Sequence, residues 1–183
     1  AAAPAVEVDI SGTPDAKNKN IPPAFTLTVK NGTTNQHFTM DNNSFSVTDA
    51  NGKHQISAKD FPFISGDSYT LTLSPTNIAY SDPQATKSDS FYQPSFKIGT
   101  QTNQMSITIH SAGPNIIKIN WNTLTAYPYS LTLTGLGGST KATISVAATN
   151  QLQFPASFSY SLGDGSYNAQ LPAGIYTLTP SAT

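Results

Sequence analysis

A chain of 183 residues has room for one large or two small domains, each able to bury a modest core. Only 10% of it is charged, and its nine basic residues, all lysine, are scattered among ten acids for a net charge of −1. Without arginine forks or a basic face, nucleic-acid binding and attachment to anionic membranes are not expected, and the absence of cysteine excludes disulfides, thiol catalysis and cysteine metal sites.

Polarity comes from 24 Thr, 21 Ser and 14 Asn. Threonine suits a pleated, half-buried surface, while Asn and Ser suit turns, so this is a β composition. Apolar runs are only a few residues long, so no membrane insertion is expected. The start, Ala1–Ala5, reads as an end left after leader removal or an artificially chosen start. The charge-poor, hydroxyl-rich surface predicts export, hence a secreted or extracellular protein.

In chain order, Val6–Ile10 alternates apolar and polar, the mark of a half-buried strand. A polar loop is expected over Gly12–Pro23. Phe25–Val29 alternates again and stops at the Asn31-Gly32 turn signal. His37–Met40 and Ser44–Val47 read as short strands around Asp41-Asn42-Asn43, and Asn51-Gly52 turns the chain into Lys53–Ile56. Tyr69–Leu73 is a clean alternation. A second polar loop is expected over Asn77–Ser90, followed by Ser95–Ile98 and Gln104–Ile109 as a closing hairpin.

After Ser111–Pro114 the pattern restarts with Ile117–Trp121, Tyr129–Leu133, Ala142–Val146 and Ser157–Tyr160. It ends in an Asp164-Gly165 turn, a short strand, a Pro172-Ala173-Gly174 turn and a strand with Tyr176 and Leu178 on one face. No segment has a helical period. Asp41–Asn43 or Asp82–Ala85 would suit at most one short helical turn.

An internal repeat follows from four matches in one order. Phe25–Val29 matches Tyr129–Leu133, and Ser44–Gly52 matches Ser157–Gly165 without a gap. Tyr69–Thr72 matches Tyr176–Thr179, and Val6–Ile10 parallels Ile117–Trp121. The predicted fold is therefore all-β: two tandem antiparallel β-sandwiches of immunoglobulin or prealbumin type, over 1–113 and 114–183, joined by a short connection. The second unit is shorter. It is either smaller, cut before its last strand, or completed by a strand from elsewhere, and an open edge of that kind is a docking or self-association site.

The run Asp164-Gly165, Tyr167, Leu171-Pro172-Ala173-Gly174, Tyr176, Leu178 resembles the transthyretin-like β-sandwiches, also called prealbumin-like, CnaB-like or carboxypeptidase-regulatory-like, of bacterial surface and secreted proteins. It covers about a third of the second unit, with a weaker echo at Asn51-Gly52, Gly66 and Tyr69–Leu71 in the first. The resemblance implies a spacer, an adhesin stalk or a carbohydrate-binding accessory. Some relatives carry a Lys–Asn or Lys–Asp isopeptide bond promoted by a buried acid. None is expected here, because the first strand has Glu7 and Asp9 but no lysine, and Lys118 has outward parity.

Catalysis finds little support in the residues, and no catalytic residue is assigned. Glu7 and Asp9 share what reads as the solvent face of one strand, whereas a glycosidase needs carboxylates facing across a cleft. His37, His54 and His110 are far apart. No cofactor is implied. The nearest to one is calcium, since Asp41, Asn43, Asp49 and Asn51 put hard oxygen donors close together, although Asx-rich turns look the same.

Aromatic platforms carry the functional expectation, because sugar rings stack on exposed aromatic faces with short polar side chains nearby. Tyr80, Tyr92, Tyr127 and Tyr167 fall in loops or at turns where no core obviously claims them, and Phe91 adjoins Tyr92 in the long polar loop. Trp121 joins them, although its parity with Ile117 and Ile119 favours the core. The expected function is non-catalytic recognition of a glycan or a host or surface glycoprotein. The alternative is a structural or adhesive unit, stalk or pilus-like, pairing through an open strand edge.

Overall fold

The computed structural model describes residues 3–10, 25–41, 53–75, 79–80, 83, 86, 91–103, 105–110, 114–138 and 140–182. The described residues contain fifteen β-strands and no α-helix. The first nine are β1 (Val6–Asp9), β2 (Phe25–Asn31), β3 (His37–Asp41), β4 (Lys53–Ile56), β5 (Ser68–Pro75), β6 (Ala79–Tyr80), β7 (Tyr92–Ile98), β8 (Gln101–Asn103) and β9 (Ser106–Thr108). The rest are β10 (Asn115–Thr123), β11 (Ala126–Leu133), β12 (Ala142–Ala148), β13 (Ser157–Leu162), β14 (Gly165–Pro172) and β15 (Tyr176–Ala182). The chain divides into two compact units.

The first unit comprises Ala1–Pro14, Ala24–Ser74 and Pro94–Trp121. One sheet runs β4-β1-β10-β7-β8 and a second β3-β2-β5-β9. Period-2 alternation sends Val6, Val8, Ile117 and Ile119 of the first sheet, and Leu27, Val29, Leu71 and Ile107 of the second, into the interior, each at most 2% exposed. Full burial of such side chains stabilises by roughly 1.5–3 kcal/mol each. Asn31 holds the turn after β2. Its Oδ1 accepts from the backbone N–H of Thr33 (2.7 Å) and Thr34 (2.9 Å), and its Nδ2 donates to Asp67 Oδ2 (2.9 Å).

The second unit comprises Asp15–Pro23, Pro75–Gln93 and Asn122–Thr183. A four-stranded sheet, β15-β12-β13-β6, and a two-stranded one, β11-β14, share one core. Ile144 and Val146 of β12, Phe158, Tyr160 and Leu162 of β13, and Phe91 fill it, with Leu131 and Leu133 of β11 and Tyr167 of β14 packed against them.

Three expectations need correction. Val6–Ile10 and Ile117–Trp121 do not open separate units: β1 and β10 lie side by side in parallel, Val8 opposite Ile117. Two alternating strands satisfy each other's backbone as readily within one sheet as in two. The division accordingly falls at Trp121 instead of near residue 113, and Pro75–Gln93 belongs with the second unit.

The expected hairpin of Ser95–Ile98 with Gln104–Ile109 is also replaced. β7 turns through Gly99, at φ 58°, into β8, whereas β9 pairs with β5 in the other sheet. Glu7 and Asp9 are not on an open solvent face, since β1 is flanked by β4 and β10 and Asp9 is buried. Of the other expected elements, the loop at 12–23 and the strand at 44–47 lie outside the described residues.

Candidate functional site

The expected platform residues separate into two groups. Tyr80, Phe91 and Tyr92 are core, at 8%, 0% and 6% exposure. The stretch expected to be a polar loop contains β6, which pairs in parallel with β13 and sets Tyr80 beside Tyr160. Tyr80 meets Phe158 edge-on at 5.7 Å, and Phe91 lies 5.8 Å from the same ring. Tyr92 exchanges both backbone hydrogen bonds with Phe154, at 2.8 and 2.7 Å. Trp121 is half-buried, packed edge-on against Phe25 at 5.8 Å. Of the calcium candidates, Asp41 ends β3 in an exposed position, while Asn43, Asp49 and Asn51 lie outside the described residues. No cluster of three His, Cys, Asp or Glu exists among the described residues.

Tyr127 alone stands open, 56% exposed. It lies in β11, not in a loop. By parity Tyr127, Tyr129, Leu131 and Leu133 share the inward face of that strand. The last three are half-buried, while Tyr127 is exposed although its neighbour Ala126, of opposite parity, is part of the core. Across the strand pair it faces Leu171. On the other sheet, Tyr176 and Leu178 of β15 sit opposite the buried Ala148 and Val146 of β12. They too have inward parity, yet Leu178 is 39% exposed. Tyr127 of one sheet and Leu178 of the other thus both lie open at one mouth of the unit.

This mouth is a groove of about 330 Å³. Tyr127, Pro128 and Tyr129 form one wall, and Tyr176 and Leu178 the other. Leu171, beside Tyr127 on β14, and Pro172, Ala173 and Gly174 complete the lining. Ile175, next in sequence, is 74% exposed. Two of the exposed large apolar side chains among the described residues, Tyr127 and Leu178, line the groove. An exposed apolar patch of this kind marks a binding surface more often than a packing fault.

Two of the three tyrosines are anchored from behind. The Tyr129 hydroxyl donates to the Tyr160 hydroxyl (3.1 Å), which lies 3.3 Å from Thr86 Oγ1. Thr86 Oγ1 in turn donates to the Pro83 carbonyl (2.7 Å). Since Thr86 spends its proton on Pro83, the chain runs in one direction: Tyr129 to Tyr160 to Thr86 to Pro83. The Tyr176 hydroxyl sits 2.7 Å from the Pro172 carbonyl and 3.0 Å from Gln153 Oε1, and its single proton is shared between the two acceptors. Gln153 is itself buried and donates to the Pro155 carbonyl (3.1 Å).

Burial raises the Tyr129 hydroxyl far above ordinary phenol, and burial raises the Tyr160 and Tyr176 hydroxyls too. These hydroxyls stay neutral and committed. What Tyr129 and Tyr176 offer a ligand is ring surface in a fixed orientation.

The local sequence supplies the anchoring geometry twice. Tyr167 donates to the Gly163 carbonyl (2.9 Å) and Tyr176 bonds the Pro172 carbonyl, each four residues back. In both, a glycine two residues before the tyrosine, Gly165 or Gly174, has φ 154°, which side-chain-bearing residues rarely adopt. The glycine swings the following ring back over the turn. A Cβ on Gly174 would sit 3.8 Å from the Tyr176 ring, so the requirement there is backbone conformation, not space.

Sequence reasoning missed Tyr129, Tyr176 and Leu178 as groove walls, because alternation alone assigns them to the core. The usable signal was the Tyr127-Pro128-Tyr129 run and the Leu171–Gly174 turn, which only strand register brings together. No protein-family model matches the chain, and no curated protein matches it.

Proposed function

We propose that this protein is a secreted, non-catalytic recognition protein that binds carbohydrate through the Tyr127 groove of its second unit. One observation carries the proposal: Tyr127 is 56% exposed in a groove beside two rings whose hydroxyls are bonded elsewhere. Pre-set rings lose little freedom when a ligand stacks on them, so more of the contact energy appears as affinity. The lining holds no carboxylate, imidazole or thiol, which supports binding over turnover. The charge-poor, Thr- and Ser-rich composition supports export.

The test is a glycan microarray probed with the protein and with Tyr127→Ala. A defined family of hits, lost in the variant while its melting temperature holds, is the expected result. A blank array from folded protein would remove the proposal.

A second reading rests on the open edges. Among the described residues, β11 pairs only with β14 and β15 only with β12, and neither strand carries a charged residue. Native edges are usually blunted by lysine, proline or a bulge, and here Pro128 and Pro180 are the only such guards. A structural or adhesive role through strand addition predicts concentration-dependent association in sedimentation velocity, abolished by Ser130→Lys on the β11 edge.

A further inference from the structure

We infer that the ligand of the Tyr127 groove is an uncharged polysaccharide bound by the apolar faces of its rings, and that glycans bearing carboxylate, sulfate or ammonium groups are rejected there. The inference rests on the carbohydrate-binding reading and narrows it to a chemical class. It starts from charge. Among the described residues of the second unit the only charged side chains are Lys141 and Asp164.

Both stand at the far end of the strands. Lys141 precedes Ala142, the end of β12 opposite Ala148, which faces Tyr176. Asp164 precedes Gly165, which faces Leu133 at the end of β11 opposite Tyr127. Each is separated from the groove by roughly 20 Å of strand. Asp164 is in addition occupied locally, its two carboxylate oxygens accepting from the backbone N–H of Leu136 (3.0 Å) and Gly137 (2.8 Å).

Among the described residues no charged side chain lines the groove, so the described lining supplies no partner for a charged ligand. An anionic sugar laid on Tyr127 and Pro128 would lose water from its carboxylate or sulfate with no cation to replace it. The same holds for an amino sugar, which would find no carboxylate. A neutral pyranose loses little, because its C–H face meets the rings while its hydroxyls stay turned to solvent.

The hydrogen-bonding state of the walls points the same way. The Tyr129 and Tyr176 hydroxyls donate into the protein, to Tyr160 and to Pro172 and Gln153, so neither offers a proton to a ligand carboxylate. Recognition is by stacking, and a chain polymer suits it because the groove is open and Tyr127 and Leu178 are exposed on its two walls.

Affinity gel electrophoresis of the intact protein against matched polymer pairs tests this: hydroxyethyl cellulose with carboxymethyl cellulose, glycol chitin with carboxymethyl chitin, and dextran with dextran sulfate. Each pair shares a backbone and differs in charge. The expected result is retardation by at least one neutral member, at least about tenfold weaker retardation by its charged partner, no loss in 1 M salt, and loss in Tyr127→Ala.

Retardation by charged members only, weakened by salt yet still lost in Tyr127→Ala, would overturn the inference and leave carbohydrate recognition standing. Retardation by neither member of any pair, with folded protein, would overturn both. Leu178→Ala serves as a second probe should Tyr127→Ala fold poorly, with the same pattern of loss expected.

Discussion

The two units use one sequence device, alternating strands, and finish it differently. In the first, sheets of five and four strands cover each other, and the inward stripes end at most 2% exposed at Val8, Leu27, Leu71 and Ile117. In the second, a four-stranded sheet meets only two strands, and Tyr127 of β11 and Leu178 of β15 stand exposed. Inward parity therefore does not mean burial. A side chain is buried only if the opposing sheet is wide enough to reach it, and where it is not, a stripe meant for a core becomes a surface.

The largest effect expected inside the second unit comes from Phe91→Ala. Phe91 is fully buried against Phe158, and the cavity left behind should cost about 3–5 kcal/mol in urea unfolding. Tyr127→Ala should change stability by less than about 0.5 kcal/mol, as for a surface position. Equal costs for the two would erase the distinction between core and groove aromatics.

Tyr160→Phe removes the centre of the directed chain and leaves the Tyr129 proton and Thr86 without their partner. A loss of about 1–3 kcal/mol is expected. Ligand affinity should fall as well, because the Tyr129 ring is no longer pinned. Unchanged affinity with reduced stability would mean that anchoring plays no part in binding.

Gly174→Ala should cost about 1–3 kcal/mol through its φ of 154°. Circular dichroism melts would show it.

Two pH effects follow from the tyrosines and Asp164. Tyr80 is pushed up to about 12 by burial and then by the charge of Tyr160, and Tyr129 and Tyr160 are raised too. The folded state then holds more protons than the unfolded chain above the ordinary phenol value of about 10, so stability should fall as pH rises past it. Tyrosinate absorbance from these rings should appear together with unfolding.

Asp164 is held below its usual range by the Gly137 and Leu136 amides. Its contribution is present above the unfolded value and is lost as pH falls through the depressed folded one. Asp164→Asn should flatten the acid limb of a melting profile below about pH 4. This is the smallest effect, because the side chain is exposed.

Most strands were legible because period-2 alternation and Asn-Gly or Pro-Ala-Gly punctuation are local properties. Val6–Asp9, Phe25–Asn31 and Tyr176–Ala182 needed nothing beyond their own residues. Partnership was not legible. The pairing of β1 with β10 joins residues more than a hundred positions apart, and the recruitment of Tyr80 by β13 depends on Tyr160 and Thr86, which no local pattern announces.

Of the candidate site, Tyr127 was legible as an aromatic next to a proline. The groove around it was not, because Tyr129, Tyr176 and Leu178 look like core residues until the width of the opposing sheet is known.

The central claim is that the mouth of the second unit is the binding surface. Isothermal titration calorimetry of a soluble neutral oligosaccharide, chosen from the array hits, into the protein, Tyr127→Ala and Trp121→Ala, each with its melting temperature, tests it most directly. The account predicts that Tyr127→Ala weakens binding about tenfold or more, the cost of a central aromatic contact, at an unchanged melting temperature, while Trp121→Ala binds normally. Full affinity in Tyr127→Ala, or a loss confined to Trp121→Ala, would contradict it.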